Sequence, residues 1–256
     1  MAAIACLCTP YYLVFFYVLN MRTEKIKKIL IENRYLLMGD KNILIMAGGT
    51  GGHVYPALAI AENLQIKGYK LFWLGTIYGL EKNIVPKYGY TLLNISIMSV
   101  RGKGFLRLLA MPILITVAVF QSLIIMIKIR PVIVIGMGGF VSGPGGIAAW
   151  LMRIPLLIHE QNAIAGLTNK MLAPFAVSIM TAFPKVFEKS KKISVTGNPV
   201  REEIKNITKP EKRYINRKSN LLRILVLGGS LGAEKLNKII PETLQNLIGN
   251  YSVQVK

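Results

Sequence analysis

Ile43-Leu44-Ile45-Met46 leads into Gly48-Gly49-Thr50-Gly51-Gly52-His53, and then into Pro56-Ala57-Leu58-Ala59-Ile60-Ala61-Glu62-Asn63-Leu64. This order reads as a buried strand, a glycine loop and an amphipathic helix. Glycines let a backbone come close to a ligand, and a helix start offers unpaired N–H groups at its positive end. A unit of this kind suits phosphate or a sugar phosphate. The alternative is a tight turn packed on the sheet. The glycine density and the histidine at the helix start favour ligand binding.

Working outward, short apolar runs alternate with helical segments. Lys70 to Leu74 reads as a second strand ending at Gly75, Glu81 to Tyr88 as a short helix, and Tyr90 to Ile97 as a third strand. Phe105 to Ile129 reads as a helix and Pro131 to Ile135 as a fourth strand. A second glycine cluster then runs from Gly136 to Gly146 and opens another helix. Pro155 to Ile158 is a fifth strand, followed by His159-Glu160-Gln161-Asn162. Strands that are apolar throughout, joined by helices, predict an α/β fold with a parallel sheet covered on both faces. Ligands of such sheets bind beyond the carboxyl ends of the strands, where both glycine clusters fall.

The pattern then restarts. Residues 205–220 are polar and lysine-rich and read as a linker. Arg223 to Leu227 is a new strand, Gly228-Gly229-Ser230-Leu231-Gly232 a new glycine loop, and Ala233 to Leu247 a helix. The expected organisation is an extension over 1–40, an N-terminal domain over 41–204, the linker, and the beginning of a second Rossmann-like domain over 221–256. One βα unit cannot bury its apolar face alone.

Several chemistries are excluded or disfavoured. A dinucleotide dehydrogenase needs G-x-G-x-x-G and an acid at the end of the second strand; here Val54 takes the third glycine position and Leu74-Gly75-Thr76 has no acid. No Gly-Lys-Ser/Thr follows either loop, which removes a Walker ATPase. Asp40 is the only aspartate, so no Asp-x-Asp metal pair exists. Cys6 and Cys8, the only cysteines, lack partners at zinc spacing, and no metal site is expected. With His53 and His159 the only histidines, a Ser-His-Asp triad is nearly excluded.

Charge and hydropathy point to partners. The chain has 256 residues, 52% of them hydrophobic and 17% charged, with 32 basic against 12 acidic residues and a net charge of +20. Such an excess suits anionic partners, although scatter over a solvated surface is the competing reading. No aromatic-interleaved basic motif suggests nucleic acid. The run from Ile4 to Met21 carries no charge and precedes Arg22, Lys25, Lys27 and Lys28. It reads either as a signal anchor or as lying upstream of a true start at Met38, the latter preferred because the fold begins at Lys41. Leu108 to Ile127 is also uncharged, with Arg101, Lys103 and Arg107 before it and Lys128 and Arg130 after. Its length would span a bilayer, but it lies between two strands of one sheet and is interrupted by Pro112 and Gln121.

Five runs in succession carry a family resemblance: Ala47 to His53, Gly136 to Gly146, His159 to Asn162, Gly166-Leu167-Thr168-Asn169-Lys170, and Gly197-Asn198-Pro199-Val200-Arg201. Together they resemble the MurG family of peptidoglycan N-acetylglucosaminyltransferases, over Lys41 to about Leu247. The resemblance implies a GT-B fold, metal-independent inverting transfer from UDP-N-acetylglucosamine (UDP-GlcNAc) to the 4-hydroxyl of lipid I, no cofactor, and lipid II as product. It implies donor contacts at Thr50, Gly51, Gly52, Asn162, Arg201 and Ser230. In that frame Gly138, Gly139, Ser142, Gly145 and Gly146 become a candidate cradle for the acceptor pyrophosphate. His53 is the first candidate for the base, with a helix-capping role as its alternative, and Glu160 is the second. For His159 and Glu160 a structural role at the strand end is preferred.

The family also implies a basic-rimmed apolar patch near residues 108–127, docking peripherally on anionic lipid at the cytoplasmic side of the inner membrane. Two departures stand out. Leu231 sits where the family loop usually has glutamine, and most of the family's donor-domain contacts lie past position 256. Little or no transfer by this chain alone is therefore expected. A non-catalytic membrane-anchored protein, or a remnant of the enzyme, remains the other reading.

Overall fold

The computed structural model describes residues 41–97, 105–188, 190–215, 221–226, 228, 234–248 and 252–255. The expectations placed on residues 1–40, on Arg101 and Lys103, and on Gly229 to Gly232, Ser230 and Leu231 included, lie outside the described residues. So does the end of the expected linker, 216–220.

Contacts divide the chain into two units, Met1–Arg201 and Glu202–Lys256. Among the described residues the first holds seven strands: β1 (Asn42–Met46), β2 (Lys70–Gly75), β3 (Thr91–Asn94), β4 (Ile133–Gly136), β5 (Leu156–Glu160), β6 (Ser178–Thr181) and β7 (Ile193–Val195). All pairings are parallel, in the order β3-β2-β1-β4-β5-β6-β7. The chain builds outward from β1 on one side, then returns to lay β4 against its other edge. That reversal makes a crevice beyond the carboxyl ends of β1 and β4.

All five residues of β1 are buried. Alternate side chains enter opposite layers, as strand geometry requires. Ile43 and Ile45 join one core with Val54, Ala57, Leu58, Ala61 and Leu64 of helix α1 (Gly51–Ile66), together with Trp73 and Ile135. Leu44 and Met46 join the other, with Val134, Ile158 and residues of three helices. These are α3 (Phe105–Ile129), α4 (Ser142–Leu151) and α5 (Leu167–Leu172); α2 (Glu81–Ile84) follows β2.

The expected helices and strands are present, with differences that have local causes. The α1 helix is not amphipathic in the usual sense: Ala57 to Ala61 are buried without interruption, because small residues let it sit between sheet and loop. Strand β3 is shorter than expected; Ile95 and Ile97 leave the sheet but stay in the core. Strand β5 runs two residues further, so His159 and Glu160 pair in register with Met180 and Thr181.

By length and composition, Met111–Ile129 within α3 could cross a membrane. Its faces are unequal. Ala118, Ser122, Met126 and Ile129 are buried, whereas Ile113, Val117, Phe120, Ile124 and Ile127 form an exposed stripe at helical spacing. Gln121 serves the fold: its carbonyl oxygen accepts the Ser96 N–H at 2.6 Å and its amide donates to Ser96 Oγ at 3.2 Å, tying α3 to the end of β3.

The second unit has α6 (Glu202–Lys205), which ends where the expected linker begins, α7 (Pro210–Tyr214) within that linker, then β8 (Leu221–Ile224), α8 (Glu234–Ile248) and β9 (Ser252–Val255). Strands β8 and β9 pair in parallel.

Leu64→Ala is expected to lower unfolding stability by about 2–5 kcal/mol in urea titration, the usual cost of emptying a closed core site. The nearby Ile66 is 81% exposed, and Ile66→Ala should stay within about 0.5 kcal/mol of the parent. Equal effects at the two positions would contradict the packing of α1 on the sheet.

Candidate active site

The first glycine loop leaves β1 and turns sharply. Gly49 has φ +90°, a conformation that side-chain-bearing residues rarely adopt. Thr50 is extended and begins α1, but its hydroxyl does not cap the helix. It lies 3.3 Å from His53 Nδ1 instead. The N–H groups of Gly51 and Gly52, the first two helical residues, have no intrahelical acceptor and sit at the positive end of a sixteen-residue helix.

The second loop leaves β4 and meets the first through backbone. A side chain on Gly139 would place its Cβ 2.3 Å from the Gly48 carbonyl oxygen, and one on Gly138 would come within 2.9 Å of the His53 ring. Other residues of the expected cradle face inward. Ser142 is fully buried, with Oγ 2.8 Å from the Gly138 carbonyl and 3.1 Å from that of Met46. Gly145 is pressed against Met46 and Leu74 of the sheet, and Gly146 against Leu172 of α5, because α4 packs tightly on both. Gly138 and Gly139 therefore lie against the first loop, while Ser142, Gly145 and Gly146 hold the second loop in place.

The end of β5 forms a third wall. His159 Nε2 lies 3.0 Å from the Gly197 carbonyl, which can only accept. Nε2 is therefore the protonated nitrogen, and Nδ1 accepts from the Gln161 amide at 3.2 Å. Burial holds the His159 pKa below its ordinary value, against the opposing pull of the Gly197 bond and the Glu160 charge. Glu160 accepts four hydrogen bonds, from Asn162 N, Asn162 Nδ2, Gly166 N and Asn169 Nδ2, at 2.8–3.0 Å. Burial pushes its carboxyl up, but the Gly166 and Asn162 backbone bonds and the two amide side chains outweigh it and hold the pKa low. A carboxylate so satisfied is a poor proton acceptor. Asn162 is exposed, with its amide oriented by Glu160.

His53 is half-buried. Burial lowers its pKa, opposed by the charge of Glu160 and by a backbone hydrogen bond to Gly48. The imidazole is thus neutral near pH 7 and able to accept a proton. Arg201 completes the group: its guanidinium lies 5.1 Å from the centroid of the Tyr55 ring. That ring in turn covers Gly51, with Cε2 3.2 Å from where a Cβ would stand. Arg201 is so held beside the start of α1.

The structure thus brings together Thr50, Gly51, Gly52, His53, Gly138, Gly139, Glu160, Asn162 and Arg201; Ser230 lies outside the described residues. Sequence reading passed over Tyr55, Gln161, Asn169 and Glu81. Glu81 has a sequence signal in hindsight: it is the first acid after β2, lying between Gly79 and the next helix turn. The arrangement offers a neutral base, a cation and free helix N–H groups around one crevice, suited to deprotonating a hydroxyl beside an anionic phosphate.

Both histidines have folded pKa values below the ordinary 6.5. As pH falls through that value the unfolded chain binds more protons, so the stability they contribute is full above it and is lost toward the folded values. The urea midpoint should be flat above about pH 7.5 and lower at about pH 5. Glu160, with its pKa depressed, loses its contribution only below that range. His159→Gln should flatten the slope, and a midpoint indifferent to pH in the parent chain would contradict the neutral imidazoles.

Comparison with known proteins identifies the family. Residues 43–181, more than half of the chain, match the glycosyltransferase family 28 N-terminal domain. The UDP-N-acetylglucosamine–N-acetylmuramyl-(pentapeptide) pyrophosphoryl-undecaprenol N-acetylglucosamine transferase of Pseudomonas syringae pv. syringae is 51% identical over 208 residues, 81% of this chain and 57% of that protein. Its counterpart in Aeromonas hydrophila is 50% identical over 202 residues, 79% of this chain and 55% of that protein. The chain therefore spans little more than half the length of these curated relatives. The crystal structure of Acinetobacter baumannii MurG superposes with a TM-score of 0.66 at 36% identity, covering 84% of this chain and 67% of that one. With its parallel sheet, its paired glycine loops and this match, the chain belongs to glycosyltransferase family 28, on the MurG branch.

Proposed function

We propose that the chain serves transfer of N-acetylglucosamine from UDP-GlcNAc to the MurNAc 4-hydroxyl of lipid I, giving lipid II, and that its first unit binds the acceptor. The observation that carries this reading is His53: a neutral imidazole against Gly138, at the start of α1 and in the field of Glu160. His53 takes the proton of the acceptor hydroxyl as its oxygen attacks the anomeric carbon. The bond from that carbon to the UDP oxygen breaks, and UDP leaves as an anion. Thr50, Gly51 and Gly52 at the helix start and Arg201 offset the diphosphate charge. Asn162, oriented by Glu160, contributes an amide to sugar hydroxyls. Glu160, saturated by four donors, acts through its field and through Asn162, not as the base.

Acceptor binding by the 256-residue chain tests the first part. A lipid I analogue should bind saturably, and removal of its pyrophosphate should weaken binding at least about tenfold; no dependence on the pyrophosphate overturns the reading. In any assay that gives turnover, His53→Ala should lower kcat by about 10²–10⁴-fold with little change in acceptor KM. Near-normal kcat removes His53 as base.

Attachment is assigned to the inner membrane, peripherally and on its cytoplasmic side. The apolar stripe Ile113, Val117, Phe120, Ile124 and Ile127 supports this, with Lys128 and Arg130 directly after it in the chain and Trp150 and Leu151 exposed on α4. One face of α3 is committed to the core, so the other lies on the lipid and does not cross it. Phe120→Glu with Ile124→Glu should abolish flotation with vesicles containing anionic lipid, and high salt should weaken flotation of the parent chain. Extraction by detergent alone would favour a spanning anchor.

A further inference from the structure

Glu81 is 0% exposed, yet it is a carboxylate. Burying a charge is costly unless donors surround it. Two segments supply three of them. The Thr76 N–H and hydroxyl both donate to Oε1 at 3.0 Å, and the Gly49 N–H donates to Oε2 at 3.0 Å, across 32 residues. All three donors are neutral. The segments close around the group so tightly that no side chain fits: a Cβ on Gly48 would lie 2.7 Å from Oε1, and one on Gly75 2.7 Å from Cγ. Gly79 leaves even less room, at 2.0 Å from Oε2.

The Gly49 N–H and the Gly48 carbonyl belong to one peptide plane and point in opposite directions, because the peptide is trans. Glu81 draws the N–H inward. The carbonyl is thereby turned to the far side, where Gly139 packs against it, next to the Gly138 that lies against the His53 ring. One peptide unit thus links a buried carboxylate to the imidazole. It also takes the Gly49 N–H out of reach of a ligand and leaves those of Thr50, Gly51 and Gly52.

We propose that Glu81 is a positioning residue, which sets the Gly48–Gly49 peptide and through it the orientation of His53 and of the phosphate-binding N–H groups. Its effect on the site is one of preorganisation: the loop is held in its working form before any ligand arrives. The assignment of phosphate as ligand rests on the function proposed above; the link from Glu81 to His53 does not.

The test exploits the presence of only two histidines in the chain. Their ring C–H resonances are followed by NMR against pH in the 256-residue chain. In Glu81→Gln, the carbonyl side of the amide keeps the two Thr76 donors and the NH₂ opposes the Gly49 N–H. The His53 midpoint should move down, because the Gly48 backbone favours the protonated form, while the His159 midpoint stays in place. Glu81→Asp keeps the charge but withdraws it from Gly49, and should move His53 in the same direction, which separates orientation from a field effect. Leu64→Ala is the control for lost stability and should move neither histidine. In the same variants, affinity for inorganic pyrophosphate should fall about tenfold with Glu81→Gln and remain within about twofold with Leu64→Ala. An unmoved His53 midpoint in either folded Glu81 variant, or an equal shift in Leu64→Ala, overturns the proposal. A moved midpoint with unchanged pyrophosphate affinity upholds the link to His53 and counts instead against phosphate as the ligand.

Discussion

The carbonyl oxygen of Gly48 occupies the place where a side chain on Gly139 would have to be. On this backbone contact the rest of the site depends. It exists because β4 returns to the free edge of β1, so the two loops leave the sheet side by side. With no side chains between them, the loops share one surface, and His53 from the first lies over Gly138 from the second. A ligand in this crevice meets both loops at once.

Two carboxylates flank that contact, and both are stabilised without a cation among their recorded donors. Glu81 is held by Thr76 and Gly49, and Glu160 by Asn162, Gly166 and Asn169. Each spends its lone pairs on neighbouring donors, which makes it a rigid anchor; for Glu160 those donors also hold the carboxyl pKa low. In the function proposed above, proton acceptance is therefore given to His53, the half-buried imidazole at the start of α1. His159, although equally close to the sequence motif, has both ring nitrogens engaged, by Gly197 and Gln161, and acts as a strut between β5 and the segment leading to Arg201. The same proposal gives anion binding to the start of α1 and to Arg201, which lies over the Tyr55 ring.

The α3 helix satisfies two demands with one composition. Its buried face needs small and apolar residues to pack beside α4, and its outer face is apolar as well. A hydropathy profile averages the two and reads a span. Burial, resolved residue by residue, separates them into Ala118, Ser122 and Met126 on one side and Phe120 and Ile124 on the other.

Much of this was legible beforehand. Runs such as Ile43 to Met46 and Ile133 to Ile135 are apolar at every position, which only a strand covered on both faces tolerates, and the glycine loops follow them directly. Strand, loop and helix are contiguous in the chain, so their order alone sufficed to find β1, α1 and the candidate residues from Thr50 to His53. Strands β6 and β7 were missed because Ser178 to Thr181 and Ile193 to Val195 are too short and mixed to show a period. The inward turn of Ser142, Gly145 and Gly146 was hidden because a glycine or serine needed for packing and one needed for a ligand look alike in a sequence. What tertiary structure alone decided is which distant groups meet: Glu81 with Gly49, His159 with Gly197, Arg201 with Tyr55. Such pairings carry no local signature, since they are fixed by the order of strands in the sheet and by the space that three glycines leave around one buried carboxylate.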